Sequence, residues 1–306
     1  MNKTSIQSLP SSTRDATRLA LRLGIPVHEI ELHHFPDGEL RITVGPAAQT
    51  TIIYTSLDQP NEKLLAILFA ADTLRRDGAR RLILVAPYLC YMRQDAAFRS
   101  GEAISQKIIG QFLAGVVDKI ITVDAHLHRT KDIRNIFPGI EAENLSAMRA
   151  IAEALESTGF DPQTIIVGPD EESRPWVSNL AERLGADHAI GQKARYDDHS
   201  VRIEFAERYL FSGRPALLVD DIISSGGTII ACAKALIAVG ANPIDVVVTH
   251  ALFPAEMTDL FLRAGIRSIR STYSVPHPTN AIILDGILGE ALRSEPADLS
   301  VSTSWV

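Results

Sequence analysis

Short runs of apolar and β-branched residues recur along this chain at helix-sized intervals. TTIIYTS, RRLILVAPY and DKIITVDAH lie in the first half, and QTIIVGPD, RPALLVDDI and PIDVVVTHA in the second. Runs apolar on both alternating faces read as buried parallel strands, because a strand with one wet face would alternate apolar and polar residues. Between them, Asn61–Gly78, Ile104–Gly115 and Ala231–Gly240 carry helical periodicity and end at glycines, as helix C-termini often do. The rhythm predicts an α/β chain with mainly parallel sheets flanked by helices.

Several of the predicted strands run into a polar or turn-forming group: Pro87, Asp124 and His126, Asp170, then Asp220 and Asp221. Ligands of open parallel sheets bind at those carboxyl ends. The order strand, helix, strand, acid-bearing loop occurs in both halves, which predicts two tandem domains meeting near Glu141–Asn144. The expected division is 1–143, 144–285, and a C-terminal helix and tail over 286–306 that packs on the N-terminal domain. No low-complexity linker marks the boundary, so close packing is expected.

Composition narrows the function classes. The 306 residues are 46% hydrophobic and 22% charged, an ordinary globular make-up with room for two domains. A formal charge of −7 is the wrong sign for a surface that coats nucleic acid. Cys90 and Cys232 sit in apolar surroundings outside any CxxC or Cys/His cluster, so neither a disulfide framework nor a structural zinc site is expected. No apolar run approaches the roughly 18 residues of a spanning helix, and MNKTSIQSLPSSTRDA has no signal-like core. A soluble, cytoplasmic protein without a membrane partner is expected.

The strongest local signal is ALLVDDIISSGGTII, Ala216–Ile230, read as a four-residue strand, two acids, a Ser-Ser-Gly-Gly-Thr turn and a helix. Gly226 and Gly227 allow a tight turn in which backbone N–H groups and the hydroxyls of Ser224, Ser225 and Thr228 face an anion at the helix N-terminus. Asp220 and Asp221 suit vicinal ribose hydroxyls, directly or through Mg²⁺. The spacing is neither that of a P-loop nor of GxGxxG.

VDDIISSGGTI resembles the phosphoribosyl diphosphate signature shared by type I phosphoribosyltransferases and ribose-phosphate pyrophosphokinases. Further segments resemble the pyrophosphokinases. Tyr88–Lys107, YLCYMRQDAAFRSGEAISQK, is similar to their ATP-contacting Arg-Gln-Asp segment, which maps onto Arg93, Gln94 and Asp95. FPDGELR, Phe35–Arg41, resembles the segment that a neighbouring subunit offers to adenine, with Phe35 stacking and Asp37 and Glu39 accepting hydrogen bonds. VDAH resembles the motif whose histidine, here His126, lies on Mg-ATP. GPDEES resembles a metal-holding stretch with Asp170 as the acid, and QKARY the flexible K-x-R loop, with Lys193 and Arg195 as catalytic cations. No family motif covers His128 or His188.

The resemblance spans nearly the whole chain and leans toward the archaeal-type members. It implies two phosphoribosyltransferase-like type I domains and diphosphate transfer from ATP to C1 of ribose 5-phosphate, with Mg²⁺ as cofactor. It also implies a homo-oligomer, at least a dimer if Phe35 serves a neighbour's site. The chain departs from the pattern at Ala96 and Ala97, where the family is basic, at Glu172-Ser173, where it has Gly-Gly, and at TVGPAAQT, which lacks the usual Arg-Gly. A phosphoribosyltransferase and a non-catalytic regulatory homologue of the synthase stand as alternatives.

Overall fold

The computed structural model describes residues 3–127, 129–130, 132–197, 200–293 and 295, without the side chains of 193–197 and 200–202. The chain divides into two compact units. The first takes the chain up to Thr122, Arg129–Leu145 and the chain from Asp285 on; the second takes Val123–His128 and Ser146–Leu284.

The first unit holds, in chain order, β1 (Thr4–Ser8), α1 (Thr13–Leu23), β2 (Val27–Glu29), β3 (Glu31–His34), β4 (Leu40–Thr43), β5 (Thr50–Tyr54), α2 (Pro60–Arg76), β6 (Arg81–Ala86), α3 (Ser105–Ala114), β7 (Lys119–Val123) and β8 (Glu141–Leu145). Six of these strands form one sheet in the order β2-β1-β5-β6-β7-β8, and every pairing from β2 through to β7 is parallel. All five residues of β5 and of β7 are buried, as doubly apolar runs require. The antiparallel hairpin β3–β4 stands apart from this sheet.

The second unit holds α4 (Met148–Ser157), β9 (Ile165–Gly168), α5 (Arg174–Leu184), β10 (His188–Ile190), β11 (Gln192–Asp197), β12 (Ser200–Glu204), β13 (Ala216–Ile223), α6 (Gly227–Ala238), β14 (Ile244–Ala251), α7 (Thr258–Arg263), β15 (Ile266–Thr272) and β16 (Asn280–Ile282). Its sheet runs β10-β9-β13-β14-β15-β16, parallel throughout, with β11–β12 as a separate antiparallel hairpin. The core lies on β13 and β14 under α6, with Leu218, Val246, Val248, Cys232, Ala233 and Leu236 fully enclosed.

The last helix, α8 (Asp285–Arg293), packs on α1, where Asp285 pairs with Arg18 at 3.2 Å. Just beyond it Glu295 accepts from Arg81 at 2.7 Å and from Lys119 at 2.8 Å, at the starts of β6 and β7. The residues expected as a tail beyond Glu295 lie outside the described residues.

Both units are therefore parallel sheets flanked by helices, the α/β class that the rhythm of the sequence predicts. Helix α2 begins at Pro60 and ends near Gly78, and α3 matches Ile104–Gly115 within one residue. Helix α6 begins at Gly227, four residues before the expected Ala231, because Ile229 continues the apolar stripe and is buried. No helix among the described residues is long and apolar enough to cross a membrane.

Candidate active site

In the second unit, β13 carries Asp220 and Asp221 inside the strand, not beyond its end as the sequence predicts. Buried Ile222 and Ile223 draw the strand onward, so it pairs with β14 on both sides of the acids, Asp220 opposite Val248 and Ile222 opposite His250. Although neighbouring strand residues start toward opposite faces, the Asp220 carboxylate turns back toward Asp221, whose side chain also hydrogen-bonds with it. The Asp221 amide donates to Asp220 Oδ1 at 3.0 Å.

Asp221 Oδ2 lies 2.6 Å from His126 Nδ1. Burial pushes the Asp221 carboxyl up, but the hydrogen bond and charge of His126 overcome it and hold it below the usual aspartate value. Burial, and then the charges of Asp221 and Asp170, push the Asp220 carboxyl well above its ordinary value. The first acid is thus short of positive charge while the second has a partner.

Past Ile223, Ser224 and Ser225 lead to Gly226, which has φ of +70° and caps α6. A Cβ at Gly226 would stand 2.6 Å from ring carbons of Phe261, so backbone conformation and space both demand glycine there. Because α6 starts at Gly227, Thr228 falls in its first turn, where helix N–H groups have no intrahelical partner and attract an anion. Asp170 follows β9; its Oδ1 accepts from the Glu172 amide at 3.1 Å, and its carbonyl accepts from Ser173 Oγ at 2.5 Å. Ser173, standing at a family glycine position, is fully buried, whereas Glu172 is exposed.

The turn that delivers His126 is anchored by Asp124, which the sequence marks at the end of its strand, and by Trp176, Thr249 and His250, which it does not mark. Asp124 has φ of +38°, and its carboxylate accepts from Thr249 Oγ1 at 2.8 Å, Trp176 Nε1 at 3.0 Å and the Ala147 amide at 3.1 Å. Burial raises its pKa to about 6 against those hydrogen bonds. His250 Nε2 lies 3.0 Å from the Val123 carbonyl, and Nδ1 2.8 Å from Ser274 Oγ. Burial lowers the His250 pKa to about 4, so the ring is neutral near pH 7 and its Nε2–H donates to the Val123 carbonyl, with Nδ1 facing the Ser274 hydroxyl, which also lies 2.7 Å from the Thr249 carbonyl. A polar residue at the carboxyl end of a buried strand was the available signal for Thr249 and His250, the same signal that marked Asp124 and Asp170.

Lys193 and Arg195 lie on β11, where their backbones pair with Ile203 and Val201 of β12. Their side chains lie outside the described residues, as does His128 altogether. His188 opens β10 and is exposed.

In the first unit, Phe35, Asp37 and Glu39 form the tip of the β3–β4 hairpin. The Phe35 amide donates to the Glu39 carbonyl at 2.9 Å, and Asp37 Oδ1 accepts from the Glu39 amide at 3.2 Å. The Phe35 ring is 38% exposed, edge-on to His33 at 4.8 Å, with the Arg41 guanidinium 5.9 Å from its centroid. Arg93, Gln94 and Asp95 lie in the irregular segment before α3. Arg93 is exposed, Gln94 Nε2 donates to Glu102 Oε2 at 3.3 Å, and Asp95 pairs with Arg129 at 2.5 Å.

Among the described residues, no three His, Cys, Asp or Glu side chains are grouped to hold a metal by themselves. The donor set nonetheless fits Mg²⁺, which takes one or two carboxylates from protein and its remaining oxygens from phosphate and water. The charges of Asp221 and Asp170 crowd Asp220, and a divalent cation would relieve that repulsion.

A parallel sheet whose strand carries adjacent acids into a Ser-Ser-Gly-Gly-Thr helix start defines the second unit as a phosphoribosyltransferase-type domain. The family described as "Phosphoribosyl transferase domain" matches residues 140–261, and "N-terminal domain of ribose phosphate pyrophosphokinase" matches 4–116. The chain belongs to the ribose-phosphate pyrophosphokinase family. Among its relatives, Ribose-phosphate pyrophosphokinase 2 of Archaeoglobus fulgidus is 32% identical over 92% of this chain and 97% of its own. The Methanopyrus kandleri Ribose-phosphate pyrophosphokinase is 30% identical over 90% and 94%. The fold matches the crystal structure of phosphoribosylpyrophosphate synthetase from Mycobacterium smegmatis with a TM-score of 0.81, over 95% of this chain and 98% of that one, at 22% identity.

Proposed function

We propose that this protein is a ribose-phosphate diphosphokinase, moving the β,γ-diphosphate of ATP to the C1 hydroxyl of ribose 5-phosphate and releasing AMP. The observation that carries this reading is the His126–Asp221 contact beside Asp220, on the strand that leads directly into the Gly226 turn and the α6 N-terminus. Names borne by relatives aligned over nine-tenths of the chain support the same activity.

In this reading Ser224, Ser225, Gly226, Gly227 and Thr228 receive the 5-phosphate, and Asp220 and Asp221 the ribose hydroxyls. Phe35, Asp37 and Glu39 receive adenine, and the segment of Arg93, Gln94 and Asp95 the rest of ATP. Lys193 and Arg195 stabilise charge on the transferring phosphoryl oxygens and departing AMP. His126 and Asp170 would hold Mg²⁺, which when bound neutralises the triphosphate. Such transfer asks mostly for alignment and charge stabilisation, so no protein general base is required. The protein acts in the cytoplasm as a homo-oligomer, a dimer or larger, with Phe35 offered to a neighbour.

The test mixes pure protein, Mg²⁺, ATP and ribose 5-phosphate. AMP and phosphoribosyl diphosphate in equal amounts are expected. Absence of AMP would overturn the proposal in favour of a regulatory homologue, and nucleotide formation from phosphoribosyl diphosphate plus a nucleobase would assign a transferase instead.

A further inference from the structure

The Arg-Gln-Asp segment of the first unit is joined to residues 129–130 by two separate contacts. Gln106, 5% exposed, donates through Nε2 to the Met92 carbonyl at 3.2 Å, and its Oε1 accepts from Thr130 Oγ1 at 3.1 Å. Asp95 accepts from the Arg129 amide at 3.3 Å and from Arg129 Nη1 at 2.5 Å. The partners differ sharply in exposure: the Asp95 side chain is 3% accessible and that of Arg129 60%. The Arg129 guanidinium also stands 5.3 Å from the centroid of Phe98, which is 60% exposed.

An ordinary surface ion pair leaves both ends solvated and contributes little. Here a carboxylate kept from water holds one N–H of a guanidinium whose side chain is 60% accessible, with an exposed ring 5.3 Å away. That is a pre-oriented fork, the geometry with which arginine binds phosphate oxygens. The same segment carries no charge at Ala96 and Ala97, directly after the Asp that does the gripping.

We propose that Arg129, held by Asp95 and lying over Phe98, is a phosphate-binding residue for the nucleotide, offered from the stretch after β7. Asp95 then serves the nucleotide through Arg129. The inference rests on the reading of Arg93–Asp95 as the ATP segment.

Two measurements test it: calorimetric titration with ADP, which needs no turnover, and steady-state kinetics with each substrate varied. Loss of one charge-assisted contact weakens binding about tenfold, so Arg129→Ala is expected to raise the ADP Kd and the ATP KM by about that factor, leaving the ribose 5-phosphate KM in place. Arg129→Lys, which keeps the charge without the fork, should recover part of the loss. The neutral double variant Asp95→Asn/Arg129→Gln should bind ADP as weakly as Arg129→Ala. Wild-type ADP affinity in Arg129→Ala would mean that Arg129 does not touch the nucleotide, and its restoration in the double variant that Arg129 only neutralises Asp95; either overturns the proposal. Wild-type protein that binds ADP while Arg129→Ala binds equally well overturns this inference alone, and wild-type protein that binds no adenine nucleotide overturns it together with the ATP reading. Matching thermal unfolding of each variant shows that the fold is intact.

Discussion

Asp221 and Asp95 are both nearly closed to solvent, with side chains 6% and 3% accessible, and both grip a basic partner, yet they are placed by different means. Asp221 sits within an eight-residue strand that pairs with β14 before and after it, so moving it means moving that strand pair. Asp95 sits in an irregular segment whose position depends on Gln106, Glu102 and Arg129. Groups on rigid elements hold a reacting geometry closely, whereas groups on loops can follow a ligand. In the proposed assignment, the groups of the second unit that would receive the sugar should therefore respond to mutation in an all-or-none way, and those of the first unit that would receive the nucleotide in a graded, ligand-dependent one.

The sharpest contrast is expected on β11. Lys193→Ala or Arg195→Ala should lower turnover by about two orders of magnitude or more with little change in ribose 5-phosphate affinity, as for loss of an oriented charge donor. Near-normal kcat in either variant would remove that cation from the mechanism.

Next in size, Asp124→Ala leaves the donors of Thr249, Trp176 and Ala147 unpaired in a buried site, which should cost about 2–4 kcal/mol in denaturant unfolding. A loss below about 1 kcal/mol would mean that the His126 turn does not depend on this anchor, and the contrast between strand-set and loop-set groups would weaken.

Phe35→Ala probes the other side of the comparison. With the ring in its proposed role, stacked on adenine, its loss should raise the KM for ATP by about tenfold and leave that for ribose 5-phosphate alone. A kcat collapse equal to that of the β11 variants would contradict graded behaviour in the first unit.

The smallest effect is one of pH. Burial pushes the Glu295 carboxyl up, but hydrogen bonds and charges from Arg81 and Lys119 overcome it and hold it below the usual glutamate range. A depressed carboxylate stabilises the fold fully above its unfolded value of about 4.3, and that stability is lost as pH falls through the lower folded value. Glu295→Gln should flatten this acid-side loss in unfolding curves; an unchanged acid slope would place the loss elsewhere.

Much of the architecture was legible because fully buried parallel strands leave an unmistakable pattern, as in β5, β6, β7, β9, β13 and β14. Short strands such as β2, β10 and β16, three residues each, bury too little to leave one. The end of β13 was misjudged because two acids look like a strand terminus, and only the packing of Ile222 and Ile223 against the core carries the strand through them. The turn before α6 was legible from its glycines, since a Cβ at Gly226 would meet the Phe261 ring. Trp176, Thr249 and His250 were not, because their convergence on the Asp124 turn joins stretches up to 127 residues apart and no local spacing encodes it. Arg129 was hidden for the same reason.

The most direct test of the central claim uses ATP labelled at the β-phosphorus, with ribose 5-phosphate and Mg²⁺, and follows where the label goes. Diphosphate transfer predicts all of the transferred label on the sugar product and an equal amount of unlabelled AMP. Label retained in ADP would show transfer of the γ-phosphoryl group alone, and label remaining in ATP would show no transfer; either result contradicts the account.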